Sequence, residues 1–186
     1  MVPELRTDRL ILRGWTPEDR APFAALNADP AVVEYLPGPL GGSASDALVD
    51  RIETGWAALG YGLWAIEVLG EERFVGFVGL NRVGFEASFT PAVEVGWRLA
   101  RDAWGHGYAT EGGRAALAFA FETVGVDEVV SFTTVRNTRS RAVMGRLGLR
   151  RDPAGDFEHP AVARGDPLRP HVLYRLDRAG WSHRDA

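Results

Sequence analysis

Residues 9–15 (RLILRGW) hold a short apolar run, Leu10 to Leu12, between two arginines, which predicts a strand. A helix should follow it, with Thr16 as its cap, Pro17 at its first position and Glu18 and Asp19 in its first turn. Pro22 is expected to kink or split that helix. A second short helical piece is expected at 30–36 (PAVVEYL), ending in the Pro/Gly-rich loop PGPLGGSAS. Leu48, Ile52, Trp56 and Leu59 then recur at helical spacing, with Ser45 as the expected cap and Gly60 as the stop. The next three apolar runs, YGLWAIEVL, FVGFVGLNRVG and AVEVGWRLA, predict consecutive strands. GEER forms a tight turn between the first two, so the three should make an antiparallel meander.

After the meander, AWGHGYATEGG (103–113) opens a helix that runs to about Val124 and closes at Gly125, before a strand at 128–134 (EVVSFTT). Strand, helix and strand at this spacing form a βαβ unit, so the two flanking strands should be parallel. An amphipathic helix from about Thr138 to Leu147, with Gly148 as its C-cap, leads to a long polar loop at 152–170 and a last strand, HVLYRL. With no internal repeat and no linker, residues 1–186 are expected to form a single domain of the α/β (α+β) class with a mixed sheet. Gly96 interrupts the third meander strand and is expected to mark a bulge, freeing main-chain groups just upstream of the glycine-rich turn.

Composition narrows the chemistry. Every one of the 21 basic residues is arginine, so neither a Schiff-base lysine nor a P-loop lysine is available. Without cysteine there is no disulfide, thiolate metal site or cysteine nucleophile. The net charge of -4 makes no general case for nucleic acid or an anionic membrane as partner. The charged N-terminus lacks the apolar core of a signal peptide, and no apolar run is long enough to span a bilayer, so a cytoplasmic location is expected. No G-x-S-x-G nucleophile elbow occurs. His159 and His171 have no partners at zinc-like spacing, and no metal is expected.

A helix start has unpaired N–H groups and partial positive charge, and glycines there let a phosphate approach the backbone. GHGYA would do this without a lysine, although the same glycines also suit a plain strand-to-helix turn. The dinucleotide fingerprint G-x-G-x-x-G fits less well. Thr110 takes the place of its third glycine, Asp127 precedes its strand, and a meander stands where alternating units are required.

The register Trp104-Gly105-His106-Gly107-Tyr108-Ala109 resembles the phosphate-binding signature Q/R-x-x-G-x-G/A of the GNAT acyltransferases, with Trp104 in place of the Gln or Arg. VEVGW (93–97), NTRSRAVMGRLGL (137–149), HP at 159 and the terminal HVLYRL extend the likeness over nearly the whole chain, closest to the RimJ/RimL-like branch. This resemblance implies a mostly antiparallel sheet with a central parallel pair and flanking helices, and acetyl-CoA or another acyl-CoA as donor. The amides of Gly105, His106, Gly107, Tyr108 and Ala109 would hold the pyrophosphate. Main chain from Val95 through Trp97 to Leu99 would pair with pantetheine, with Trp104, Asn137 and Arg141 also on the cofactor. Of the six arginines between 136 and 151, with Arg101 and Arg114 nearby, several could contact phosphate or simply form a solvated helix face.

The implied chemistry is attack of a neutral amine on the thioester. An alkyl ammonium with pKa about 10.4 is neutral only about once in 2,500 molecules at pH 7, whereas an α-amine with pKa about 8 is far closer to readiness. By the resemblance Glu94 is the candidate base, Ser140 the acid for the departing thiolate, and an amide near Gly96 or Trp97 the donor to the carbonyl oxygen. A strand glutamate can equally face solvent or pair with arginine, and Glu111, the rival carboxylate, also reads as a helix-dipole residue. His106 is as readily a tolerated loop residue as a phosphate contact. The amine acceptor is expected between the first two helices, beside PGPLGGSAS and the 152–170 loop. Asp152, Asp156 and Glu158 there could attract a cation, but Arg164 and Arg169 share the loop. A peptide N-terminus, an amino acid, a polyamine or an aminoglycoside-like amine all fit. A homodimer is admitted, though no exposed apolar face stands out, and the same cradle could serve a non-catalytic acyl-CoA sensor.

Overall fold

In the computed structural model, which describes residues 2–182, the strands are β1 (Leu5–Arg6), β2 (Leu10–Arg13), β3 (Leu63–Val68), β4 (Arg73–Arg82), β5 (Val93–Leu99), β6 (Glu128–Thr134), β7 (Arg150–Glu158) and β8 (Pro170–Asp177). They form one sheet in the order β1-β2-β3-β4-β5-β6-β8-β7. Every adjacent pair is antiparallel except β5 and β6, which are parallel as the βαβ spacing predicts. The helices are α1 (Arg20–Ala28), α2 (Gly42–Leu59), α3 (Tyr108–Ala118), α4 (Thr138–Arg146) and α5 (Arg178–Ser182). None among the described residues is long and apolar enough to cross a membrane.

Alternation along the strands sorts the two faces. Val78, Val95 and Leu99 lie under α3, whose approach depends on two glycines. A Cβ at Gly112 would stand 2.9 Å from Val78 Cγ1, and one at Gly113 2.8 Å from Leu147 Cδ1. On the other face Phe77 packs with Trp15 and Phe23, so α1 covers the sheet there. Phe77 pairs with Arg98, Gly79 with Gly96 and Asn81 with Glu94 across the β4–β5 ladder, which puts Glu94, Gly96 and Arg98 on the α1 side.

Several sequence expectations are corrected. The first helix is split ahead of Pro22. Pro17–Asp19 form a 3-10 turn closed by a capping box in which Asp19 Oδ2 accepts the Thr16 N–H at 2.8 Å, and Pro22 sits harmlessly in the first turn of α1. Residues 30–36 are turns. Asp29 accepts the N–H groups of Val32 and Val33 on its carbonyl and that of Ala31 on its side chain, a local alternative that so short a segment between prolines does not overcome. The second long helix begins at Gly42 with Gly41 as N-cap. Ser45 does not cap it; its buried hydroxyl accepts from Asn27 Nδ2 at 2.9 Å and ties α2 to α1. The stripe of that helix is Val49, Ile52 and Trp56, while Leu59 is exposed. Much of the expected 152–170 loop is strand β7, hidden in the sequence by Pro153 and Gly155, and the true connection is 159–169.

The expected bulge at Gly96 is absent. The β4–β5 register runs unbroken through it, and the irregularity lies between β3 and β4, opposite Ile66 and Glu67. The β5 main chain is freed in another way. Its ladder with β6 has two pairs, Val93↔Val129 and Glu94↔Val130, beyond which the strands part.

Gly76, at the β3–β4 irregularity, has φ +132°, and an added Cβ would lie 2.1 Å from Arg98 O. Gly76→Ala therefore combines backbone strain with a clash against main chain. It should cost about 2–4 kcal/mol and lower the melting temperature by about 4–16 °C in thermal unfolding.

Candidate active site

Where β5 and β6 separate, a cleft of about 1300 Å³ runs through the molecule. One end is walled by the 104–111 turn and α4. The other is walled by the connection after α1, by α2, and by the β7–β8 connection. The separation is held at its apex by the Ser131 hydroxyl, which donates to Val95 O at 2.8 Å, a side chain reaching where the ladder would otherwise continue.

The glycine turn is open to a ligand. Gly105 and Gly107 have φ of +81° and +84°, and a Cβ at Gly105 would meet nothing within 4 Å. The N–H groups of Thr110 and Glu111 both turn back to Gly107 O, so those of residues 105–109 have no acceptor among the described residues. Five amides at the positive end of an 11-residue helix make a cradle for a diphosphate. Trp104, in place of the signature Gln or Arg, bonds Leu99 O through its indole N–H at 3.0 Å. Its ring lies 4.5 Å from the Arg139 guanidinium and 5.3 Å from that of Arg101. His106 stacks on Tyr108, with Arg9 donating to the His106 carbonyl.

Glu94 projects from β5 into the cleft with its carboxyl folded toward Gly96, and no hydrogen-bond or ion-pair partner holds it among the described residues. Desolvation by the surrounding walls raises its pKa to about 8. Glu111 is in the opposite situation. Burial raises its pKa, but bonds from Thr7 Oγ1 (2.6 Å) and Arg9 (2.7 and 2.9 Å) outweigh that and hold it below the ordinary carboxylate value. It fastens the β1–β2 turn to α3 and is not free to take a proton.

Across the split, Asn137 caps α4 by accepting the Ser140 N–H at 3.1 Å. Its side-chain N–H₂ donates to Ser140 Oγ (3.1 Å) and Thr133 Oγ1 (3.0 Å). Ser140 Oγ is thus an acceptor in the protein, and its own proton has no acceptor among the described residues, a donor on the cleft wall. Arg141 does not line the cleft, because it bonds Val135 O and Tyr174 instead. Val95 is buried beneath α3 with its carbonyl taken. Trp97, Leu99 and Trp104 to Ala109 do line it, as do Arg114, Arg139 and Arg146.

At the far end, the acidic residues that could have attracted a cation are already paired: Asp152 with Arg175, Asp156 with Arg151 and Glu158 with Arg169. The wall there is instead Val162, Leu168 and two imidazoles. His159 and His171 have rings 4.8 Å apart beside Phe132, and burial, with the positive neighbours of His159, keeps both pKa values below the ordinary one. No group of three or more metal-ligating side chains occurs among the described residues. Sequence reading missed Asn27 and Arg98. The signal for Arg98 was its inward position four residues after Glu94 on one strand.

Because the folded chain holds the Glu94 proton up to about pH 8 and the unfolded chain loses it near pH 4.5, stability contributed by the neutral form is lost as pH rises between those values. Glu94→Gln should therefore raise the melting temperature relative to the parent at pH 8.5 by several degrees and by much less at pH 5. A shift independent of pH in parallel thermal scans would show that burial does not perturb this carboxyl.

Residues 9–150 match the family model described as "Acetyltransferase (GNAT) domain". The chain is 32% identical to the FsC-acetyl coenzyme A-N(2)-transacetylase of Aspergillus fumigatus, over 96% of this chain and 78% of that protein. Among solved structures, an acetyltransferase from Agrobacterium tumefaciens superposes with a TM-score of 0.77 at 28% identity, covering 96% of both chains. RimL, described as a ribosomal L7/L12 alpha-N-protein acetyltransferase in complex with coenzyme A, shares the fold at a TM-score of 0.75 and 16% identity, over 94% of this chain and 98% of that one. A parallel strand pair that opens beside a glycine cradle, and a family match spanning most of the sequence, agree: the chain belongs to the GNAT acetyltransferases, enzymes that take their acetyl group from acetyl-CoA.

Proposed function

We propose that the protein acetylates a primary amine by direct attack of the neutral amine on the donor, in the manner of the RimJ/RimL-like branch, with a protein N-terminal α-amine or a small-molecule amine as acceptor. The observation that carries this reading is the unpartnered Glu94 carboxyl, placed in the same cleft as the cradle of amides. Two relatives support nitrogen as the acceptor atom, since their names specify an N(2)-transacetylase and an alpha-N-protein acetyltransferase.

Acetyl-CoA, when bound, supplies an acyl thioester as electrophile. The amides of residues 105–109, with Arg139 over the adjoining Trp104 ring and Arg146 on the same cleft wall, would hold its phosphates. The β5 main chain beyond Val95, unpaired with β6, offers N–H and C=O groups to the pantetheine arm and an N–H near Gly96 to the reacting carbonyl. Glu94, as carboxylate, accepts the proton that the amine loses on forming its new N–C bond. A base with pKa about 8 is matched to an α-amine of similar pKa, so little driving force is wasted in the transfer. Ser140, oriented by Asn137, gives its proton toward sulfur as the C–S bond breaks. A thiolate leaves readily, so the acid matters less than the base.

Release of CoA thiol from acetyl-CoA should depend on a peptide, amino-acid or other amine acceptor and fall about 10²–10³-fold in Glu94→Gln, but only about tenfold or less in Ser140→Ala. Equal or reversed losses would refute the two roles. Turnover that needs no Glu94, or a melting temperature raised by acetyl-CoA with no thiol release from any acceptor, would replace an enzyme of this mechanism by another base or by a binding module. With an α-amine acceptor, log kcat/KM should rise with pH toward about 8 with a slope approaching two, since amine and carboxyl must both be deprotonated. In Glu94→Gln the slope should fall to one.

A further inference from the structure

Arg98 lies on the same face of β5 as Glu94, four residues further along, and lines the same cleft. Its guanidinium is 5.5 Å from the centroid of the Phe77 ring and donates from Nη1 to Asn27 Oδ1 at 2.6 Å. Asn27 is fully buried and held through its other amide atom by Ser45, so α1 and α2 together fix one corner of the guanidinium. Nε and Nη2 have no acceptor among the described residues, yet neither is a sealed, orphaned donor, so both open to the cleft.

Ten arginines among the described residues sit against a carboxylate, and Arg13, Arg20, Arg73 and Arg175 each have two or more. Arg98 has none. Burial lowers its pKa to about 10, which leaves it charged at neutral pH, and no acidic side chain offsets that burial. Glu94 does not serve as its counter-ion. Cα atoms four residues apart on a strand are about 13 Å apart, and at pH 7 the Glu94 carboxyl is mainly protonated. A fixed, half-enclosed guanidinium with a free fork of donors recognises a planar anion and repels an ammonium. It stands on the α1 side of the sheet, near Phe77, Leu48 and Leu63. The cradle of five amides at the start of α3, with Arg139 over the neighbouring Trp104 ring, already offers donors to the phosphates of acetyl-CoA.

We propose that Arg98 binds a carboxylate carried by the acceptor, so that the substrate is an amine that is also an acid: an amino acid, or a short peptide or derivative bearing a carboxylate. This rests on the acetyltransferase reading above and specifies its acceptor. The amine would lie at Glu94 while the carboxylate is held toward Arg98. Two or three charge-assisted bonds at such a site distinguish an acid from its amide by about tenfold to a hundredfold.

The test is CoA-thiol release with matched pairs: α-amino acids, ω-amino acids and acidic dipeptides, each against its primary amide, with spermidine as the cationic control. For the parent protein, kcat/KM should favour at least one acid over its amide by tenfold or more, and spermidine should be a poor acceptor. Arg98→Gln should collapse that ratio toward one, and Arg98→Lys should restore part of it. An unchanged thermal shift with acetyl-CoA would show that Arg98→Gln is folded and donor-competent. Amides or spermidine used as well as the acids, or a preference that survives Arg98→Gln, would overturn the proposal while leaving the acetyltransferase reading intact. So would a selective loss of succinyl-CoA use, which would assign the guanidinium to an acidic donor. No thiol release with any acceptor would instead mean that the acetyltransferase reading had failed, and this proposal with it.

Discussion

The parting of β5 from β6 is the constraint on which the rest of the site depends. A parallel ladder normally continues for the length of its strands, because every unpaired main-chain group in the interior costs stability. Here it stops after two pairs, and the Ser131 hydroxyl takes the Val95 carbonyl at the apex. The main chain below is left open to a ligand. The glycine turn stands on one bank of the same split and the Asn137–Ser140 cap on the other. Gly112 and Gly113 seat α3 closely on Val78 of the sheet and on Leu147 at the end of α4.

Burial without compensation is the second theme. Two ionisable groups on one strand face, Glu94 and Arg98, are shifted toward neutrality by desolvation, and neither has an oppositely charged partner. Both cost folding stability, a pattern that favours a functional over a structural role. Glu111 makes the contrast: it is equally carboxylic and also on the cleft wall, but three bonds from the β1–β2 turn commit it to holding α3 in place. Partners separate the two glutamates more sharply than position does.

Much of the architecture was legible from periodicity. The meander, the βαβ unit, the α3 start and the α4 helix with its Gly148 stop all follow from spacing of apolar residues and from the punctuation of glycine. The glycine cradle stood out because glycines bare the backbone at a helix start, and Glu94 stood out only through the resemblance of its strand to the GNAT family. Local competition defeated the reading elsewhere. Asp29 captured three N–H groups and prevented a helix at 30–36, Pro153 and Gly155 disguised a strand, and Gly96 suggested a bulge that the register does not contain.

By itself, then, the sequence determined which segments become strands and helices, and where a backbone is bare enough to receive phosphate, because those properties depend on neighbours within a turn or two. Only the tertiary structure decided which charges remain uncompensated. Asp152, Asp156 and Glu158 could attract a cationic amine by sequence, although arginines share their loop, and each proves to be paired. Asp152 meets Arg175 across the β7–β8 ladder, Glu158 meets Arg169 across the connecting loop, and Asp156 meets Arg151 within the irregular part of β7. Arg98 looks like one arginine among 21 and proves to be a guanidinium in the cleft with no acid beside it. A charge's effect depends on its distance to every other charge and on the water it has lost, and both are set by residues far away along the chain.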